Sequence, residues 1–350
     1  MDESRYHSAF KAVNGDRPRD GDQNGEFAAS HSVVDCHGLH PLAYSAMPAS
    51  LTPWRLLIHN PMPPPMALAI DEAIALACAD QRGTPTLRFY QWDRPAVSIG
   101  RFQNVDQAVR AAPCRSAGVP VLRRITGGRA VWHRYELTYS ILCPLPSSLF
   151  PSALSDTVAV IGRALAASLQ QLDLQVDGPA TSDRPVDRRE RALRDRARSS
   201  SFCFDEPSWY EVTLMGKKVI GSAQRRWRDR FLQQGSILLR HDAEEVARWL
   251  PVGDGDLQAA AGLNDFLPAP VTADRLAQHM ARSLATIWNI TLTAGTLTEE
   301  ESLLANALSL GKYADEAWTI QGTAPSPARS QIPTGKPVHG EPDQGEAVAL

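Results

Sequence analysis

The five cysteines of this chain, Cys36, Cys78, Cys114, Cys143 and Cys203, include no C-x-x-C pair and are odd in number. That excludes a complete disulfide framework, argues against a zinc site and points to a reducing compartment. No run of about 18 apolar residues occurs anywhere, so a membrane-spanning helix is not expected. The start, Met1-Asp2-Glu3-Ser4-Arg5, leads into further polar sequence without an apolar signal core. A soluble, cytoplasmic protein is expected. Charge of either sign is also not in excess. A formal net charge of -3 over 350 residues gives no global electrostatic case for nucleic acid binding. No internal repeat is visible.

With 43% hydrophobic residues, the chain can bury a sizeable core. Residues 1–50 are rich in Asp, Gly, Ser, His and Asn without periodicity, and residues 322–350 are rich in Pro, Gly and Ser. Neither segment can bury enough apolar surface to offset its ordering entropy, so both are expected to be disordered tails. Residues 51–321 remain, roughly 270 residues, a size that suits one large domain.

Within that domain the pattern predicts strands at Trp54–Ile58, Leu87–Trp92, Ala96–Gly100, Val121–Arg124, Leu137–Cys143 and Phe231–Leu239. A hairpin is predicted over residues 210–224, turning at Gly216-Lys217. Helices are predicted over Met66–Asp80, 106–112, 153–172 (with Ser155 or Asp156 near its cap), Ala243–Trp249 and Thr272–Trp288. Strands come early and in hairpin-like pairs, with helices between them. This favours an α+β fold with a mixed, largely antiparallel sheet over a strictly alternating parallel one.

The densest stretch is Arg123-Arg124-Ile-Thr126-Gly127-Gly128-Arg129-Ala-Val-Trp-His133. Arginine carries a fixed fork of donors for carboxylate or phosphate, and glycine lets a ligand approach bare backbone. A basic β-hairpin with a glycine turn explains the same residues equally well.

Other segments narrow the choice. Pro95-Ala-Val-Ser98-Ile-Gly100-Arg101-Phe-Gln103-Asn104 precedes the loop and Glu136-Leu137-Thr138-Tyr139-Ser140 follows it. Later come Gly216-Lys217-Lys218-Val-Ile-Gly221-Ser222-Ala-Gln224-Arg225 and Leu232-Gln-Gln-Gly235-Ser236. In this order the set resembles the biotin/lipoate protein ligase catalytic domain family over residues 52–320. Within it the chain is most similar to the cysteine-dependent octanoyl-[acyl-carrier-protein]:protein N-octanoyltransferases. Arg129 stands where ATP-using ligases usually carry a third glycine. Glu136–Ser140 is typical of the transferase branch. Cys203, in Ser-Phe-Cys203-Phe204-Asp205, is a residue the ligases usually lack. No accessory domain is expected after Trp318.

The resemblance implies the biotin/lipoate ligase catalytic fold and octanoyl transfer in lipoate biosynthesis. Octanoyl-acyl carrier protein would be the donor, and a lipoyl domain or glycine cleavage H protein the acceptor. It implies no metal, no cofactor and a monomer. Cys203 would be the nucleophile and Lys218 would hold the acyl carbonyl oxygen. Arg101, Gln103, Arg123, Gly127, Gly128 and His133 would line the acyl and phosphopantetheine pocket, with Ser222 and Gln224 closing its other wall; for His133 a structural role is equally open. Cys78 and Cys143 read as core residues, while Cys114 and Cys36 read as loop residues.

The chain departs from many relatives at Gln234, where they carry histidine; if that histidine matters for catalysis, activity is in doubt, though glutamine can still hydrogen-bond. The arginine-rich segments 183–198 and 225–230 read either as solvated surface or as a basic rim steering acidic carrier domains. Two other functions stay open. One is an ATP-dependent lipoate ligase of the same fold. The other is a non-catalytic scaffold binding carrier proteins. A donor that is itself a lipoyl protein is also open.

Overall fold

The computed structural model describes residues 52–79, 83–177, 212–322 and 346–349. In chain order its elements begin with β1 (Thr52–Ile58), α1 (Pro64–Ala77), β2 (Thr86–Tyr90) and β3 (Ala96–Ile99). Next come α2 (Val105–Ala108), α3 (Ala111–Ser116), β4 (Val121–Arg123), β5 (Val131–His133) and β6 (Glu136–Pro144), followed by α4 (Leu154–Gln170), β7 (Val176–Asp177) and β8 (Val212–Leu214). After β9 (Lys217–Arg226) and β10 (Arg230–Leu238) come α5 (Ala243–Trp249), α6 (Asp254–Gln258) and α7 (Ala273–Trp288). The last are β11 (Ile290–Ala294), α8 (Glu299–Leu308), a π-helical turn Ser309–Tyr313, α9 (Glu316–Gln321) and β12 (Glu346–Ala349).

The main sheet runs β11-β1-β2-β6-β10-β9-β8-β7. Only β1 makes parallel pairs, with β11 and β2; the other pairings are antiparallel. The fold is therefore α+β, mixed and largely antiparallel, as the patterning predicted. A small second sheet has the order β4-β3-β5.

Alternation along the central strands sorts side chains to two faces. Leu137, Tyr139, Ile141 and Cys143 of β6, with Phe231 and Ile237 of β10, join α4 and α7 in one core. On α7, Leu276, Met280, Ala281 and Leu284 recur at helical spacing and are buried. Thr272 caps that helix by accepting from the Arg275 N–H. The opposite sheet face, with Leu142 and Leu232, packs on α1, Tyr313 and Trp318. Helix α1 is apolar on nearly every side because it is sandwiched between the sheet and the 299–321 segment.

Several expectations change. Strands β4 and β6 do not form a hairpin around the glycine loop: β4 and β5 flank β3 in the small sheet, and β6 lies in the main one. The helix expected at 106–112 breaks at Val109, whose backbone is extended, into α2 and α3. Cys114 consequently lies buried on α3 rather than in a loop. Helix α4 is capped by Ala153 without a side-chain bond, and Ser155 and Asp156 fall inside its first turn. Within the tail expected to be disordered, Glu346–Ala349 form a strand that pairs with Arg226–Ala223 of β9. Among the described residues, no helix is long and apolar enough to cross a membrane. The expectations for residues 1–50, Cys36, the arginine-rich segment 183–198 and Cys203 lie outside the described residues.

Candidate active site

Two tight approaches pin the glycine loop between β4 and β5. Gly128 has φ of +89°, a left-handed value that suits glycine. A Cβ on Gly100 would lie 1.9 Å from the Gly128 carbonyl oxygen, so glycine is required there as well. The Arg101 N–H donates to the Thr126 carbonyl (2.9 Å), and the Gln103 side-chain oxygen accepts from the Gly100 N–H (2.9 Å). Residues 100–103 and 126–128 thus form one joined rim.

The paired arginines divide the work. Arg124 donates from Nη2 to the carbonyls of Gly127 (2.7 Å) and Arg129 (2.8 Å), and from Nη1 to the carbonyl and hydroxyl of Ser98. Arg123 turns away from the loop interior. Its guanidinium donates to the carbonyls of Gly100, Arg101 and Gln103 on one side and of Trp318, Thr319 and Ile320 on the other. Trp318 returns a bond from Nε1 to the Arg123 carbonyl (2.7 Å). Expected as a ligand contact, Arg123 is instead a strut between the rim and α9.

Ser222 and Gln224, expected as the second wall, point to the other side of the sheet. The Ser222 hydroxyl bonds the Tyr139 phenol (2.7 Å), and Gln224 donates to Gln233, which donates to the same phenol. Ser222 and Gln233 line a small cavity with Val158, Gly162 and Leu165 of α4. The residue of β9 that faces the loop is Ala223, whose Cβ is 3.5 Å from where a Gly128 Cβ would stand. With a period of two, a one-residue shift exchanges faces.

Lys218 is only 1% exposed and is the second residue of β9. Its N–H donates to Ala259 and its carbonyl accepts from Ala261. Five residues of strand, about 17 Å, separate it from Ala223, so β9 does not bring Lys218 against Gly128.

Sequence reasoning missed the acidic centre beneath the loop. Asp71 of α1 is fully buried and paired with Arg88 of β2 at 2.5 Å. Its second oxygen accepts from Tyr90 (3.2 Å), Ser140 (2.7 Å) and the Gln234 amide (2.6 Å). The Gln234 carbonyl in turn accepts from the Thr126 hydroxyl (2.9 Å). Gln234 is therefore a bridge from α1 to the loop. In α1 the sequence showed only two adjacent acids, Asp71 and Glu72, in an Ala/Leu/Ile-rich helix.

His133 is buried and stacked on Trp92, with ring centroids 4.0 Å apart. Its Nδ1 bonds Glu136 Oε1, and its Nε2 lies 2.7 Å from the Ser98 hydroxyl. These bonds occupy both ring nitrogens inside the protein.

The described cysteines are poor nucleophiles. Burial pushes the Cys78 thiol up to about 11 and the Cys143 thiol up to about 12, and raises Cys114 too. Of the expected basic rim at 225–230, Arg225 is buried and stacks on Trp227, as does Arg230, which also pairs with Asp229. Arg226 bonds Thr157 and the Pro151 carbonyl, which leaves Arg228 exposed to solvent. Among the described residues, no cluster of His, Cys, Asp and Glu could hold a metal ion.

A mixed sheet facing a small glycine-loop sheet is the frame of a known class. Residues 63–285 match the lipoyl protein ligase A/B catalytic domain, and the chain belongs to that family. Its curated relatives include octanoyltransferase LipM of Symbiobacterium thermophilum, 38% identical over 279 residues, covering 77% of this chain and 99% of that protein. Octanoyltransferase LipM of Brevibacillus brevis is 33% identical over 277 residues, covering 77% and 99%. Among solved structures, lipoate-protein ligase A bound with ATP aligns with a TM-score of 0.62 at 26% identity, over 76% of this chain and 98% of that one. A bi-partite lipoate protein ligase from Thermoplasma acidophilum aligns with 0.61 at 25% identity, over 79% and 99%.

Proposed function

We propose that this chain is an octanoyltransferase of lipoate biosynthesis that acts through an acyl-cysteine. The observation that carries the reading is its similarity, across nearly their whole length, to relatives named octanoyltransferase LipM. The Cys203 thiolate attacks the thioester carbonyl of octanoyl-acyl carrier protein. The new C–S bond replaces the old one, and the carrier leaves as its thiol after taking up a proton. One thioester replaces another, so this step is close to balanced in free energy and needs no ATP. A lysine amine of a lipoyl domain or H protein then attacks the acyl-cysteine. An amide forms, the amine gives up a proton and Cys203 is released.

Lys218 is assigned to the acyl carbonyl oxygen. A buried cation acts on developing charge more strongly than a solvated one. Gly127, Gly128, Arg101 and Gln103 are assigned to the mouth, where the rim geometry joins them. Burial of the Cys78, Cys114 and Cys143 thiols, which disfavours their thiolates, supports a nucleophile elsewhere.

Mass spectrometry of the enzyme mixed with octanoyl-carrier protein tests the reading. One octanoyl adduct is expected, labile to hydroxylamine and absent from Cys203→Ala. Adding apo-H protein or an apo-lipoyl domain without ATP should move the octanoyl group to the acceptor. An adduct that persists in Cys203→Ala, or none in the wild type, refutes it. The likeness to lipoate-protein ligases favours one second reading. Lipoate-dependent release of pyrophosphate from ATP would establish that reading instead.

A further inference from the structure

We propose that Glu136, His133, Ser98 and Arg124 form a positioning relay, running from the central sheet to the glycine loop, that holds the loop backbone in its working shape. Its part in catalysis rests on the acyl-transfer reading above; the hold itself does not.

The relay crosses both sheets. Glu136 begins β6 of the main sheet, His133 ends β5, Ser98 lies in β3, and Arg124 follows β4. A carboxylate only accepts, so His133 Nδ1 carries the proton that faces Glu136. In the neutral ring Nε2 then accepts, which turns the Ser98 O–H toward it at 2.7 Å. The Ser98 oxygen is left to accept from Arg124 Nη1 at 3.1 Å. Each donor therefore points the same way, from the guanidinium to the carboxylate.

Both ends are fixed. Glu136 Oε1 also accepts from Thr138 (3.0 Å) and Ser236 (3.2 Å). Trp92, which stacks on the His133 ring, donates to the same Thr138 hydroxyl at 2.9 Å. At the other end, Arg124 Nη2 holds the carbonyls on either side of Gly128. Two adjacent glycines lose more freedom on ordering than any other pair, so a hold from outside the loop is what defines their shape.

The set has the outline of a serine–histidine–acid triad, with a different consequence. Ser98 is 1% exposed and already takes an Arg124 N–H, so its hydroxyl orients and does not attack. His133, for which a place at the acyl pocket and a structural role were both open, is a positioning residue with both nitrogens committed.

Hydrogen exchange on Ser98→Ala, His133→Asn and Ser98→Thr, read beside melting temperature and adduct formation, tests the relay. Amides of residues 125–130 should exchange about tenfold or more faster in Ser98→Ala and His133→Asn, with β6 and β10 unchanged. Ser98→Thr, which keeps the hydroxyl, should behave as wild type. On the same proteins, the adduct rate at saturating donor should fall about tenfold or more with KM for the donor little changed.

Unchanged loop exchange, or a uniform rise through β6 and β10, overturns the hold. Faster loop exchange with a wild-type adduct rate overturns its role in transfer. Ser98→Ala that forms no adduct while Cys203→Ala forms one would make Ser98 the nucleophile and overturn the positioning assignment. A wild type that forms no adduct sinks the acyl-transfer reading, while the exchange data still decide the hold.

Discussion

Cys78, Cys114 and Cys143 each lie in apolar surroundings, and the physical result is the same for each: the thiolate is disfavoured because its charge would be buried. At neutral pH only about one Cys78 in ten thousand would be ionised, given a thiol near 11, and fewer still at Cys143. Brief iodoacetamide treatment of the native enzyme at pH 7 should therefore leave these three unmodified, while Cys203 is alkylated and activity is lost. Peptide mapping checks this. Carbamidomethylation of Cys78 or Cys143 in the folded protein, at a rate matching Cys203, would contradict it. That the two flanking-strand and helix cysteines were core residues was legible from their apolar neighbours. Cys114 was not, because the break at Val109 that starts its helix leaves no Gly or Pro signature in Val109-Arg110.

Elements were easier to read than their partners. Period-two and period-3.6 patterns located β10, α5 and α7 to within a residue at each end, and β1, β2 and β9 to within two. The loop's chemistry, in contrast, depends on which strand lies beside which. The β4 strand is followed by β5 in sequence, yet β3 runs between them, and only the fold tells this. The same limit misplaced Ser222 and Gln224: the composition of β9 is plain, but which alternating set faces the loop is decided by the Ala223–Gly128 contact. Arg123 shows the point at its largest, since its carbonyl partners in α9 lie 195 to 197 positions away. Arg123→Met would remove a charged donor from six carbonyls, and a loss of about 2–4 kcal/mol of stability is expected. Arg123→Lys should recover little, because an ammonium cannot reach two backbone segments with a planar fork. Urea denaturation measures both, and limited proteolysis near residues 316–322 should quicken in parallel. A lysine variant with wild-type stability would show that the strut is dispensable.

At the scale of the whole molecule, several titratable groups among the described residues are tied to buried partners, and this sets how stability responds to pH. His59 joins the buried Asp71–Arg88 pair as an acceptor: Arg88 Nε donates to its Nδ1 at 3.0 Å. Burial, and then the Arg88 charge, lower its pKa to about 4. His241 is also lowered, chiefly by burial. In the unfolded chain both histidines take up a proton near the usual value of about 6.5. The folded state then binds fewer protons than the unfolded one, so acid favours unfolding. The contribution of His59 is complete above about pH 6.5, declines as pH falls, and is gone below about 4. Because His59 is partly solvent-exposed, screening reduces the effect, and about 1 kcal/mol should be lost between pH 7.5 and pH 5. His59→Asn keeps an acceptor for Arg88 but cannot titrate, so its urea midpoint should fall less than wild type's over that interval. The comparison must use identical ionic strength, since salt also weakens the exposed pairs. Equal slopes for the two proteins would mean that Arg88 does not hold His59 neutral. The acid limb would then belong to carboxylates such as Glu301. Burial opposes ionisation of Glu301, but its ion pair with Arg55 holds its pKa below the usual value, so its contribution is lost only at lower pH.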